Sequence, residues 1–220
     1  MALRFEQATE ELKQKLLRMA KQAAASVNRA IQSLVGRDGE LALKVKEEDN
    51  ILDSFEIEVD DLSMHLLAQA PLVSDLRFVT IAMKISHDLE RVGDEATTIA
   101  RRAYDLNKEP QLKPYVDIPR MADLALEMLN QAMESFLRGD SERARSIIPR
   151  DKEVDALNKQ LHRELASFMV ESRDNIPRCL NLMVISKSIE RIADHATNIA
   201  EEVVYLFEGK DIRHLPEMKR

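Results

Sequence analysis

The sequence predicts an all-α protein of two tandem, pseudo-symmetric three-helix bundles, with six long helices in all. Three observations carry this. Residues 85–100, ISHDLERVGDEATTIA, return at 185–200 as ISKSIERIADHATNIA, with Ile85, Ser86, Glu90, Arg91, Asp94, Ala96, Thr97, Ile99 and Ala100 unchanged in the later copy. A long-range repeat of this kind implies duplicated structural units. Only 5 Gly, 7 Pro and no Trp accompany abundant Leu, Ala, Glu, Lys and Arg, a composition that favours long helices over sheets. Finally, apolar residues step by three, four or seven along most segments, the signature of a helix burying one face.

Taken in order, Phe5, Leu12, Leu16, Met19, Ala23, Val27, Ile31 and Leu34 mark a first helix over 5–36, ended near Gly36 and Gly39. Asp38 opens a second helical stretch running to about Gln69, with Ile51, Leu52, Phe55, Val59, Leu62 and Leu66 on its apolar arc. Pro71 breaks it, and a third helix covers about Asp75 to Leu106. The segment NKEPQLKPYVDIP holds three prolines and reads as the connection. The second half repeats the plan: a helix from Pro119 to Leu137 stopped by Gly139, one from Ser141 to Ser172 kinked or restarted at Pro149, and one from Ile176 to Phe207 ended by Gly209. The expected domains are therefore 1–106 and 119–208, joined by a linker at 107–118 and followed by an exposed tail at 209–220.

A hydrophobic content of 45% supports a real core, and the net charge of −7 argues against nonspecific nucleic-acid binding, which needs a basic footprint. The acidic, amphipathic start MALRFEQATEEL is unlike a signal peptide, and no apolar run approaches the roughly 20 residues of a membrane span. A cytoplasmic protein is expected. The lone Cys179 reads as a small buried apolar residue.

The repeated Glu-x-x-x-Asp pair is not something a helix needs for packing. Two acids four apart share a face and repel, at a cost of a few tenths of a kcal/mol, roughly. With about 100° per residue, Asp94 falls about 40° from Glu90, at the shoulder of the buried face. Thr197 and Glu201 extend the same stripe beyond Glu190 and Asp194. The preceding helix carries Asp49, Asp53, Glu56 and Asp60, matched in the second half by Asp151, Asp155, Asn158 and His162. Folding each pair of helices about its short loop brings the two stripes level. Converging carboxylates must be protonated, paired with bases such as Arg91 or Arg101, or bound to metal. Oxygen ligands suit Mg²⁺, Mn²⁺, Ca²⁺ or iron more than Zn²⁺ or copper. A single stripe is usually a solvated face, whereas two level pairs, duplicated, favour a metal site. No Glu-x-x-His, phosphate-binding loop or nucleophile motif is present. His65, His87 and His214 show no obvious ligand partners; His162 and His195 fall near the second stripe.

The duplicated ERVGD (90–94) and ERIAD (190–194), AQAPLVSDLRFV at 68–79, the Asp-x-x-x-Asp segments at 49–53 and 151–155, and the ending GKDIRH together resemble the PhoU family over nearly the whole chain. The resemblance implies two PhoU-type three-helix bundles and metal clusters (iron, manganese, magnesium or zinc) on Glu90, Asp94, Glu190 and Asp194 with Asp49, Asp53, Asp151 and Asp155. It implies no catalysis. It implies instead a cytoplasmic homodimer acting as a negative regulator of phosphate-starvation signalling. Such a protein would be an adaptor between the ATPase subunit of a phosphate transporter and a phosphate-sensing histidine kinase, reaching the membrane only through these partners. Asn158 and His162, standing where the first half has Glu56 and Asp60, imply a second metal site of different affinity or nuclearity. A metal-dependent hydrolase or metal-storage bundle using the same carboxylates is the alternative.

Overall fold

The structure, a computed structural model, describes residues 2–70 and 72–213, with side chains from Phe5 onward. It contains α1 (Ala2–Val35), α2 (Gly39–Glu47), α3 (Asn50–Leu67), α4 (Val73–Leu106), α5 (Asp117–Arg138), α6 (Ser141–Ile147), α7 (Asp151–Glu171) and α8 (Ile176–Glu208). Six of these are long, and no strand occurs among the described residues. Helices α1, α3 and α4 form one three-helix bundle, with α2 as a short lead-in to α3; α5, α7 and α8 form the second, with α6 in the equivalent place.

Each long helix buries the face its periodicity predicts. In α1, Leu12, Leu16, Met19, Ala23, Val27, Ala30 and Leu34 are fully buried. Removing a Leu, Ile or Met side chain from water contributes about 1.5–3 kcal/mol, and α4 and α8 line up such residues along most of their length. These two helices pack on each other at the centre of the molecule. They run antiparallel: Lys84 reaches Glu202, Asp88 meets His195 and Asn198, Glu95 meets Arg191, and Arg102 reaches Asn181.

The duplication extends to the caps. Asp38 accepts from the Leu41 N–H at 2.9 Å and starts α2; Asp140 accepts from the Arg143 N–H at 2.9 Å and starts α6. The helix before each cap ends on a left-handed residue, which is Gly139 in the second half (φ 70°) and Arg37 in the first (φ 55°). The first helix stops at Val35, and the left-handed residue that follows is an arginine between the two glycines expected to end it. That guanidinium is anchored, donating to the carbonyls of Asn107 and Glu109 in the interhelical connection.

Three expectations need correction. The stretch from Asp38 to Gln69 is not one helix, since it breaks between Glu47 and Asn50. The second half breaks at the matching place, where a 3-10 turn at Ile148–Arg150 carries Pro149. Symmetry with that proline was the available signal, because the first half makes the same bend without one. Helix α5 begins at Asp117, so Pro119 sits inside its first turn, where the missing N–H has no intrahelical partner to lose. The segment after Gly209 is not simply an exposed tail: Ile212 is buried and Arg213 pairs with Glu202 at 3.0 Å. Pro71 and residues 214–220, including His214, lie outside the described residues.

Gly93 lets α3 approach α4. A Cβ there would stand 2.2 Å from Cδ1 of the buried Leu52. The second half has Ala193 and Val154 at the repeat-equivalent positions, both fully buried, with the volume redistributed between partners. Gly93→Ala is expected to lower stability by about 1 kcal/mol, overpacking outweighing the gain in helix propensity. Adding Leu52→Val should restore it, as read by denaturant unfolding of both variants.

Candidate metal centre

The acidic stripes of α3 and α4 face each other, as do those of α7 and α8, because every helix sets its acids beside the apolar face that packs. In the first bundle Thr97 Oγ1 donates to Asp49 at 2.8 Å. Asp94 lies among Asp49, Asp53 and Glu95, and its carboxyl is raised above the ordinary range by partial desolvation, against the opposing Arg91 and with those acids adding to the rise. Glu90 is raised by burial first, then by Asp94, with Arg91 opposing and Glu56 adding. Arg91 spans the pair, donating to Asp94 at 2.8 Å while its Nε lies 3.2 Å from Glu90. The ion-pair reading is thus realised in part, through a half-exposed arginine. Glu90 Oε2 is buried and accepts no hydrogen bond among the described residues.

The second bundle brings Asp151, Asp155, Glu190 and Asp194 together. Burial, then Asp194, Asp155 and Glu190, push the Asp151 carboxyl up to about 6, against Lys187. Asp194 keeps more contact with water, yet partial desolvation and Glu190 still raise it. Asp151 Oδ1 and Thr197 Oγ1 are buried without a hydrogen-bond partner among the described residues, whereas the equivalent Asp49 and Thr97 bond to each other. Both line a cavity of about 270 Å³ with Asp155. Two clefts, of about 520 and 700 Å³, open beside these clusters along the α4–α8 seam, and Arg213 borders both.

The eight sequence-predicted residues lie as two acidic groups, Asp49, Asp53, Glu90 and Asp94 in one bundle and Asp151, Asp155, Glu190 and Asp194 in the other, but among the described residues no three of these eight bring ligand atoms within 4.8 Å of one another. Oxygen-rich donor sets, unpartnered buried oxygens and carboxyls driven toward protonation all fit a cation, whose charge would relieve the repulsion. Sequence reasoning missed His87. It stands on the Glu90 face one turn earlier, its Nδ1 3.2 Å from Glu56 Oε1, and Glu56, His87 and Glu90 offer ligand atoms within 4.8 Å of one another. The spacing of three before Glu90 was the available signal. His195 bonds Asp88 at 2.8 Å and His162 contacts Ser186 at 3.0 Å, so both are engaged in packing. Among the described residues no helix is long and apolar enough to cross a membrane.

Fold and site together define a helical tandem-repeat protein with one carboxylate cluster per repeat. The PhoU domain family matches residues 16–103 and again 118–203. The chain is 38% identical over 213 residues to the phosphate-specific transport system accessory protein PhoU homolog of Pseudomonas putida, covering 96% of this chain and 83% of that protein. It is 39% identical over 206 residues to the Aquifex aeolicus homolog, covering 93% of each. The crystal structure of PhoU from Pseudomonas aeruginosa superposes with a TM-score of 0.90 at 37% identity, over 94% of this chain and 100% of that one. The phosphate transport system regulatory protein PhoU from Streptococcus pneumoniae gives 0.89 at 31%, over 94% and 99%. The chain belongs to the PhoU family.

The raised carboxyls have a pH consequence. Asp151 has a higher pKa folded than unfolded, so its protonation stabilises the native state fully below about pH 4, and that contribution is lost as pH rises through about 6. In chelator, the wild type is expected to lose about 1–3 kcal/mol relative to Asp151→Asn between pH 4 and 7.5. Denaturant unfolding of both proteins across this range measures the difference, and parallel curves would contradict the assignment.

Proposed function

We propose that the chain is a non-enzymatic accessory protein of a phosphate transport system, working in the cytoplasm as a homodimer and binding metal ions at its two carboxylate clusters. In this reading it docks on the transporter's ATPase subunit and on a phosphate-sensing histidine kinase, holding kinase signalling down when phosphate is plentiful. The observation that carries the proposal is the near full-length match to relatives named as phosphate-specific transport system accessory proteins. The carboxylate clusters support the metal component: iron, manganese, magnesium or zinc would be held by Glu90, Asp94, Asp49 and Asp53 in one bundle and by Glu190, Asp194, Asp151 and Asp155 in the other. The bound cation would supply the positive charge that lets these acids stay ionised together. The helices hold the carboxylates in register, and the α4–α8 seam sets the two clusters at a fixed separation.

Deleting the gene is expected to switch on phosphate-starvation genes in phosphate-rich medium, and the wild-type copy to restore repression. For the metal component, the purified, untagged protein should carry iron, manganese or zinc near-stoichiometrically. A Glu90→Gln/Asp94→Asn/Glu190→Gln/Asp194→Asn variant should carry none. Metal at 100 times its Kd should stabilise the wild type by about 2.7 kcal/mol, seen as a higher Tm, and leave the variant unmoved. Turnover of a phosphate ester that is lost in this variant would instead favour the hydrolase alternative.

A further inference from the structure

The two bundles serve as controls for each other. The positions of Glu56, His87 and Glu90 are taken in the second bundle by Asn158, Lys187 and Glu190. The first set carries two carboxylates and an imidazole, a formal charge of −2 with neutral histidine. The second carries one carboxylate, an amide and an ammonium, a formal charge of 0. Lys187 is ion-paired with Glu190, and its field reaches Asp151 and Asp194, opposing but not overcoming the rise of both carboxyls. The amide oxygen of Asn158, a residue only 8% exposed, is left without a hydrogen-bond partner among the described residues.

In the first bundle the cation on Glu90 is Arg91 of the same motif, with its Nε 3.2 Å from Oε2, and the position of Lys187 is taken by His87. Glu56, His87 and Glu90 converge within 4.8 Å, and Glu56 and His87 open on the 520 Å³ cleft, with room for waters to complete a coordination shell. The side chains grade from half-buried Glu90 to exposed His87, at 12% and 58% exposure, so the site is anchored on one side and open on the other. Imidazole nitrogen suits first-row transition metals, whereas Mg²⁺ and Ca²⁺ prefer sets made only of oxygen.

We propose that the first bundle holds a mixed imidazole–carboxylate site, Glu56–His87–Glu90, for a first-row transition-metal dication, and that Lys187 permanently occupies the corresponding place in the second bundle. The proposal rests on the metal reading above and divides it. The first bundle discriminates in favour of nitrogen-accepting metals, while the second is left with oxygen donors alone, on Asp151, Asp155, Asp194 and a Glu190 shared with Lys187. Lys187 then acts as a built-in cation that partly offsets the repulsion within the second bundle, and the His-for-Lys exchange decides which bundle responds to a transition metal.

The experiment is a Co²⁺ and Zn²⁺ titration of the metal-stripped full-length protein, read by equilibrium dialysis and by Co²⁺ visible absorption. It is run beside His87→Lys and an Asn158→Glu/Lys187→His variant, with melting curves confirming that all are folded. The wild type is expected to show one strong site, and His87→Lys to weaken it by at least about tenfold with loss of the Co²⁺ spectrum. The Asn158→Glu/Lys187→His variant should gain a second site of the same kind. If His87→Lys binds Co²⁺ as the wild type does while Mn²⁺ still binds the carboxylates, this proposal is overturned and the metal reading stands. If the wild type binds no metal of any kind, both fall. If the double variant gains no site, Lys187 and Asn158 are not what separates the bundles, and the proposal is likewise overturned.

Discussion

Helices α4 and α8 must each bury an apolar face against their own bundle and also against each other, and the antiparallel contact between them carries the rest of the molecule. Its polar seam is the costly part. Asp88 is 9% exposed at the centre of it, and a carboxylate so placed is tolerable only because His195 and Asn198 donate to it from the other helix. Glu202 is held in the same way by Lys84 and by Arg213 from the segment after α8. These cross-bundle pairs lock the relative register of α4 and α8, which in turn places the two acidic clusters on either side of the seam.

The clusters follow from a conflict within each helix. The apolar residues around Glu90 and Glu190 must pack, and the acids beside them are drawn toward the protein as a consequence. Desolvation is the leading cause of the raised carboxyls at Glu90, Asp94, Asp151 and Asp194, with mutual repulsion added. A stripe fully in water would have been cheap and without consequence. One at the shoulder of the core is destabilising unless a cation is supplied, and the bundles draw on different sources: Arg91 and room for a metal in one, Lys187 in the other.

Much of this was legible in the chain. The helix periodicity, the hundred-residue repeat and the level stripes are local or one-dimensional features, and the resemblance to the PhoU family followed from motifs in a fixed order. The break between α2 and α3 was hidden because no proline or glycine marks it, and only its symmetry mate at Pro149 betrays it. His87 was passed over because a lone histidine has no meaning until Glu56, thirty-one residues earlier, is brought to 3.2 Å. Ile212 and Arg213 looked like tail because their partners, Glu202 above all, are identified only once the chain has turned back past Gly209.

By itself, the sequence determined what repeats and which faces are apolar, since helical periodicity converts spacing directly into burial. That suffices for two three-helix bundles and for eight acids in two pairs of facing stripes. Tertiary structure alone decided which charges neutralise which. Coulomb interactions and hydrogen bonds depend on distances of a few ångströms across helices, and these are set by packing rather than by spacing along the chain. Hence Asp49 satisfies Thr97, while Asp151 Oδ1 and Thr197 Oγ1 find no hydrogen-bond partner among the described residues. Hence also the histidine at 87 faces two carboxylates while the lysine at 187 caps one, although both lie three residues before the same glutamate of the same motif.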